Sequence, residues 1–318
     1  MKRIKQGWIG LLIVILTLMA AGCGKGETLL TLGTGGQSGT YYPLGVATAK
    51  IFTDKGDNVK ANAVSTDASV ANINGIEDGQ YDLAFVQNDI TYYAATGTEM
   101  FEGKSSDKLR GFGILYPEVI QVITTADTGI SNLADLRGKR VAVGKAASGA
   151  EANARQVLEA AGLTYEDIDE EFLSFGDAAQ KLKDQNLDAA FITAGTPTGA
   201  VQELGATHEV RLVSIPADTA QALKDQYPFY VDYTIPKDTY GLDEDAQTVA
   251  VSAMLVISSE VDEDVAYDLA EVFYENLSEL AKAHQKGSVI SLETAREGMP
   301  IELHAGVEKY FEEQGVQK

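Results

Sequence analysis

Residues 29–44, LLTLGTGGQSGTYYPL, carry the pattern on which the fold prediction depends. A short apolar run comes first, a glycine-rich turn follows at 33–40, and a helix-forming stretch begins near Tyr42. A strand, a glycine-rich loop and a helix in this order predict one βα unit. Short apolar runs alternate with amphipathic stretches along the rest of the chain, so the sequence predicts an α/β protein.

Four of the predicted strands run into a loop rich in Ser, Thr or Gly that opens a helix. These loops cover residues 35–40, 65–69, 147–149 and 193–198. In open α/β sheets such loops lie at the carboxyl ends of strands, where helix N-termini present free N–H groups and a partial positive charge. Together they suit a small anionic ligand held by N–H groups and hydroxyls. For any single loop, the alternative is that Ser and Thr are ordinary helix N-caps.

The order of elements predicts two α/β lobes that are joined by a hinge and face a central ligand cleft. Lobe I would contain residues 29–117 plus 237–318, and lobe II residues 118–236. We predict separate strands at 111–115 and 120–124, a strand at 172–175, and one long helix at 262–284. The hinge would consist of two crossovers, near 116–120 and 230–239.

Composition excludes several classes of protein. The chain has 318 residues, 25 Lys plus Arg against 47 Asp plus Glu, and 45% hydrophobic residues. The apolar content is that of a globular protein, and a net charge of −22 would repel nucleic acid. We therefore expect no nucleic-acid partner.

The N-terminal segment resembles an export signal. Residues 1–7 carry three basic residues and no acid, residues 8–21 are mainly apolar, and small residues precede Cys23, the only cysteine. Residues 18–23, LMAAGC, resemble a bacterial lipobox, which implies a signal peptide at 1–22, a lipidated Cys23 and a tether to residue 28. We expect an exported protein anchored to the outer face of the cell membrane. An uncleaved anchor and a plain secreted protein are the alternatives.

Enzyme motifs are incomplete. The glycines that start at Gly33 miss the last glycine of a dinucleotide-binding fingerprint, and Ser38 does not lie in a nucleophile elbow. The three histidines are isolated in the sequence, and His304 is interpreted as structural. We therefore expect no catalytic residues, no metal and no cofactor.

At the loops, the chain resembles the TAXI group of solute receptors of tripartite ATP-independent periplasmic (TRAP) transporters. The resemblance extends from about residue 30 to 315 and rests on five ordered motifs: TGGQSGTYYPLG at 34–45, VQND at 86–89, LRGKRV at 136–141, FITAGTP at 191–197 and PIELHAGV at 300–307. It implies a type II periplasmic-binding-protein fold and delivery of a small organic acid or amino acid to a membrane permease. Glutamate or a related C4–C5 carboxylate is the expected ligand.

The resemblance also implies a set of ligand-binding residues. Where the family tends to read Gly-Ser-Gly-Thr, residues 147–150 read Ala-Ser-Gly-Ala, and none of the four loops contains an arginine. The residues carried over by position are Gly36, Gln37, Gly39, Thr40, Tyr41, Ser69, Gln87, Ser148, Gly149, Ala150, Gly195 and Pro197.

Two other functions remain open at the level of sequence. One is a binding protein of similar fold that serves an ABC transporter or a sensor kinase. The other is an exported hydrolase or isomerase, which would need a titratable group in the cleft, and the loops offer mainly Asp67 and Lys145.

Overall fold

Strands and helices alternate through most of residues 27–316, the part of the chain that the computed structural model describes. Its strands are β1 (Thr28–Gly33), β2 (Val59–Val64), β3 (Leu83–Gln87), β4 (Leu109–Thr125), β5 (Arg140–Ala142), β6 (Asp169–Glu171), β7 (Ala189–Ala194), β8 (Val210–Val213), β9 (Val231–Ile235) and β10 (Ala246–Ser258). Its α-helices are α1 (Tyr41–Lys55), α2 (Ser69–Glu77), α3 (Asn88–Thr96), α4 (Gly149–Ala160), α5 (Phe175–Lys183), α6 (Gly199–Gly205), α7 (Ala217–Gln226), α8 (Glu263–Glu275), α9 (Leu277–Ala283) and α10 (Ala305–Glu313). The signal peptide and Cys23 lie outside the described residues.

The strands form one mixed sheet in which two parallel groups flank a central antiparallel pair. The order is β2-β1-β3-β10-β4-β7-β5-β6, with β8 on β4 and β9 on β10. β1 is parallel to β2 and β3, and β5 is parallel to β6 and β7. The long strands β4 and β10 run antiparallel to each other and connect the two groups. The division into lobes at residues 117 and 237 stays a prediction.

The predicted break near residues 116–120 is wrong, because β4 continues through it. Pro117 is tolerated within the strand because it lies close to a register shift and before Val119, where pairing of β4 with β7 begins. The register between β4 and β10 shifts at two places, between Ala253 and Met254 and between Leu255 and Val256. Thus the chain passes between the two parallel groups as a strand.

Three other element predictions also need correction. Residues 231–235, expected to lie in a crossover, form strand β9 against β10. The predicted strand at 172–175 is replaced by β6 at 169–171, after which Ser174 caps α5 by accepting a hydrogen bond from the Asp177 N–H. The long helix predicted at 262–284 is broken at Asn276, whose side chain donates to the Val272 carbonyl at 2.8 Å.

The C-terminal motif at 300–307 docks on the edge of β4. The Gly111 N–H donates to the Glu302 carbonyl at 2.8 Å, and the His304 N–H donates to the Gly111 carbonyl at 3.0 Å. His304 is buried, and its Nδ1 accepts from the Gly306 N–H at the start of α10. The structural interpretation of His304 is therefore confirmed.

Candidate functional site

A pocket lies where the predicted loops meet, at the carboxyl ends of the parallel strands. It encloses about 560 Å³ that protein atoms do not fill, part of it open to solvent. The lining residues come from both parallel groups and from β4: Gly35, Gly36, Gly39, Thr40, Tyr41, Thr66, Asp67, Ala68, Ser69, Gln87, Glu118, Lys145, Ser148, Gly149, Ala150, Leu173, Ser174, Phe175, Thr193 and Ala194. A cleft at this edge of a sheet is the usual ligand position in open α/β folds.

The structure brings nine of the twelve predicted ligand-binding residues to this pocket. These are Gly36, Gly39, Thr40, Tyr41, Ser69, Gln87, Ser148, Gly149 and Ala150. Gln37 is exposed and lines an outer groove beside the pocket. Gly195 and Pro197 lie beyond the pocket, and the same strand contributes Thr193 and Ala194 instead.

Gly195 lies outside because its backbone contacts the first loop instead of the pocket. Its carbonyl accepts a hydrogen bond from Thr40 Oγ1 at 3.2 Å. The neighbouring Thr198 also donates to this carbonyl through its hydroxyl, at 2.9 Å. The fourth loop therefore supports the first loop.

The alternative that Ser or Thr in a loop is an ordinary helix N-cap holds for one of the four predicted loops. Ser148 Oγ accepts from the Glu151 N–H at 3.1 Å and so caps α4. Thr40 does not cap α1 with its side chain, and Ser69 is the first residue of α2, where its hydroxyl accepts from the Gln87 N–H at 3.2 Å. The pocket is thus lined at the starts of α1, α2 and α4, where N–H groups lack partners within the helix.

Contacts between the two parallel groups close the pocket. Lys145 Nζ lies 2.6 Å from Asp67 Oδ1, in an ion pair of which both side chains are about half exposed. The Ala71 N–H donates to the Ala147 carbonyl at 3.1 Å, and the Ala200 N–H donates to the Ser38 carbonyl at the same distance. An exposed ion pair contributes only about 0–1 kcal/mol. These contacts therefore hold the two sides together with only a small stabilising free energy.

A buried hydrogen-bond network behind the pocket also joins the two sides. Gln87 Nε2 donates to Asn153 Oδ1 at 2.9 Å. Asn153 Nδ2 in turn donates to Asp89 Oδ2 and to the Tyr230 hydroxyl, each at 2.9 Å. The Tyr230 hydroxyl donates to Gln156 Oε1 at 2.5 Å. In this chain of bonds every amide has a fixed orientation.

Several buried polar atoms at the pocket have no hydrogen-bond partner among residues 27–316. They are Gln87 Oε1, Glu118 Oε1, Thr193 Oγ1 and the hydroxyl of Tyr41, and the hydroxyl of Tyr116 next to Glu118 is also unpartnered. More than nine-tenths of the surface of each of these side chains is buried. Because buried polar groups in native proteins normally find partners, such a cluster indicates a place for a ligand or for water.

Glu118 is the main pocket residue that sequence reasoning missed. It lies within the apolar strand β4, directly after Pro117, and is 2% exposed. A lone acid in an apolar strand pattern is the signal that could have identified it. Thr66, Asp67 and Ala68 lie in a predicted loop, whereas Leu173 and Phe175 lie in a segment expected to be a strand.

Burial dominates the ionisation of the acids near the pocket. It raises the pKa of Glu118 to about 8, and the negative charge of Asp89 adds to this rise. The Tyr41 and Tyr116 hydroxyls and the positive charge of Lys286 oppose it. Neither hydroxyl forms a hydrogen bond of ordinary geometry with the carboxyl group. Burial also raises the pKa of Asp89, to about 6.

Residues 27–316 contain neither a candidate metal site nor a candidate membrane-spanning helix. No group of three or more His, Cys, Asp or Glu side chains is arranged to hold a metal ion. No helix in this range has the length and apolar character needed to cross a membrane.

We expect Glu118→Gln to stabilise the ligand-free protein at pH 8, by roughly 2–5 kcal/mol. The folded pKa of Glu118 lies above its unfolded value of about 4.5, so the carboxyl costs stability increasingly as pH rises from 4.5 to 8. The neutral amide removes this cost. Urea unfolding of both proteins between pH 4.5 and 8.5 measures the difference, with Glu244→Gln in an exposed turn as the control. A difference that does not change with pH would contradict the assignment.

Comparisons with known proteins agree with this architecture. PhnD1 of Prochlorococcus marinus, solved with methylphosphonate, has a TM-score of 0.58 at 11% identity, covering 92% of this chain and 100% of that chain. A protein of Bordetella bronchiseptica has a TM-score of 0.54 at 16% identity, and the match covers 89% of this chain and 82% of that chain. A putative L-cystine ABC transporter protein of Listeria monocytogenes has a TM-score of 0.51 at 16% identity, and the match covers 83% of this chain and 98% of that chain.

Sequence identities this low establish a shared fold only, so the function has to be argued from the site. The predicted α/β fold of the periplasmic binding proteins is confirmed. At the level of sequence, a family model described as the NMT1-like family matches residues 32–315, nearly all of the described chain. The chain therefore belongs to the NMT1-like family.

Proposed function

We propose that this chain is an exported solute-binding protein that encloses one small ligand and presents it to a membrane transporter. The observation that carries this proposal is the pocket between the two parallel groups of strands, with its buried polar atoms that lack partners. The matched fold is shared with PhnD1, which was solved in complex with methylphosphonate, and this supports the same function.

A role as a hydrolase or isomerase has less support. The two titratable groups that the loops offered, Asp67 and Lys145, pair with each other at the mouth of the pocket. No histidine lines the pocket, and Glu118, the remaining acid in the lining, is hydrogen-bonded to neither hydroxyl, since Ser148 Oγ caps α4 and Thr193 Oγ1 has no partner among residues 27–316. A nucleophile without a base is weak at neutral pH. We therefore favour binding over catalysis.

Ligand capture by closure of two lobes follows from this proposal. The lobes would be residues 29–117 plus 237–318 and residues 118–236, with β4 and β10 as the connections that bend. The ion pair of Lys145 with Asp67 and the contact of Gly149 with Gln87 would then form only in the closed state. A ligand that contacts both lobes favours that state by its differential affinity.

For the transporter, an ABC system is the first candidate, because a matched protein of Listeria monocytogenes is described as part of one. The motif resemblance to TAXI receptors keeps an ion-driven TRAP permease as the second candidate. That same resemblance implies glutamate or a related C4–C5 carboxylate as the ligand. Lipidation of Cys23 would place the receptor on the membrane surface next to either transporter.

We expect calorimetry with glutamate, glutamine, 2-oxoglutarate and fumarate to show saturable binding of at least one compound. The protein is first unfolded and refolded to remove any bound ligand. Gly36→Val should weaken binding without unfolding the protein, because a Cβ at Gly36 has no atom within 4 Å and would project beside the pocket. No heat from any small acid or amino acid, or wild-type affinity of folded Gly36→Val, would count against the proposal.

Closure is tested by Gly149→Ala. An added Cβ would lie 1.6 Å from Gln87 Oε1, an atom on the opposite side of the pocket. Overpacking of this kind costs roughly 1–3 kcal/mol. We expect ligand affinity to fall by the corresponding factor while the ligand-free melting temperature changes little. Gly205→Ala, where the nearest atom is 3.7 Å away, is the matched control and should bind as wild type does. An equal loss of ligand affinity in Gly149→Ala and Gly205→Ala would argue against closure.

The transporter class is tested by uptake into vesicles that contain the receptor's cognate membrane protein. We expect uptake to require ATP and to persist without an ion gradient. Uptake that an ion gradient drives without ATP would favour the TRAP candidate and exclude the first one.

A further inference from the structure

Glu118 is the acid that most directly concerns the identity of the ligand. Its carboxyl group lines the pocket, and its Oε1 has no hydrogen-bond partner among residues 27–316. The other acid in the lining, Asp67, is already paired with Lys145. A buried carboxyl group without a partner costs stability, so an apolar residue would suit this strand position better unless a ligand uses the acid.

Gln87 supplies a second acceptor with a fixed orientation. The Tyr230 hydroxyl donates to Gln156 Oε1 and therefore accepts from Asn153 Nδ2. Asn153 must then present Oδ1 toward Gln87, which donates its Nε2 in return. This leaves Gln87 Oε1 at the pocket as an acceptor with no partner. The network thus leaves an acceptor, and not a donor, at this unpartnered position.

Donors lie on the other walls of the same pocket. The starts of α1, α2 and α4 line it with residues 39–41, 68–69 and 148–150. Helix N-termini favour negative groups such as carboxylates. A ligand that satisfies this pocket needs a carboxylate for the helix starts and a group rich in N–H donors for Glu118 and Gln87.

We propose that Glu118 binds the ammonium group of the ligand, so that the pocket selects amino acids over organic acids that lack an amino group. The proposal rests on the proposed function and names the substrate class of that same site. Glu118 is the residue that determines specificity, and the helix starts bind the carboxylate.

Proton release accompanies this mode of binding. In the closed pocket, burial raises the pKa of the Glu118 carboxyl to about 8, so the group is mostly protonated at pH 7 before a ligand binds there. When the ammonium group arrives, the carboxyl gives its proton to the solvent and forms a carboxylate–ammonium pair. The groups that face Glu118 are the hydroxyls of Tyr41 and Tyr116, the Asp89 carboxyl and the Lys286 ammonium group. The two tyrosines have pKa values raised well above 10 by burial, so they stay protonated.

The first experiment compares matched ligands on the refolded, full mature chain. Each amino acid is titrated next to its 2-oxo analogue: glutamate with 2-oxoglutarate, alanine with pyruvate, and leucine with 4-methyl-2-oxopentanoate. We expect the best amino acid to bind roughly 10- to 100-fold more tightly than its 2-oxo analogue, the range for a hydrogen bond to a charged group. Equal or tighter binding of the 2-oxo acid would overturn the inference while leaving the proposed function intact. No binding by any compound would overturn both.

The second experiment measures the release of protons on ligand binding. Calorimetry at pH 7 in phosphate and in Tris, which differ in ionisation enthalpy, gives the number of protons released. We expect nearly one proton per amino acid bound by the wild type, and none by Glu118→Gln, which should also bind roughly 10- to 100-fold more weakly. Glu244→Gln should match the wild type. A wild type that releases no proton, or a Glu118→Gln protein with unchanged affinity, would overturn the assignment.

Discussion

The antiparallel pair of β4 and β10 is the element on which the rest of the structure depends. β4 has 17 residues and β10 has 13, and they are the longest strands in the described chain. On one side β3 pairs with β10, and on the other β7 pairs with β4. The two parallel groups, each with its own loops at the carboxyl ends of its strands, are therefore placed on a common frame. The loops face one another because both groups are attached to this pair.

The same frame places an acid where it is energetically costly. Glu118 lies on β4 where the two groups meet, and its Oε1 is buried without a hydrogen-bond partner among residues 27–316. The Asn153 network behind the pocket shows the opposite design, since most of its amide and hydroxyl groups are used. Satisfied buried polar groups fix a structure, whereas unsatisfied ones indicate a place for a ligand or for water. The contrast between these neighbouring clusters separates scaffold from site.

The large negative charge of the chain has little direct influence on this pocket. Of the acids, Asp67 and Glu118 line it, and the first is neutralised by Lys145. Acids such as those at 243–245 are exposed, where salt screens them beyond about 8 Å. A strongly acidic surface is therefore compatible with the proposed binding of a carboxylate, because exposed distant charges are screened whereas N–H groups at the helix starts lie at the pocket.

Local patterns in the sequence determined the order of the βα units, the glycine-rich first loop and the cap at Ser148, because strand periodicity, helix capping and turn chemistry depend on neighbouring residues. Nine of the twelve residues that the family resemblance implied line one pocket. The local patterns could not determine that β4 continues through Pro117, or that the helix beginning near residue 262 breaks at Asn276, since pairing with β10 and contacts between distant segments decide where elements end. The surroundings of Glu118 depended on tertiary structure alone. An acid in an apolar strand carries no local signal of its partners, and only the tertiary structure places the Tyr41 and Tyr116 hydroxyls near its carboxyl group and brings Glu118 to the pocket.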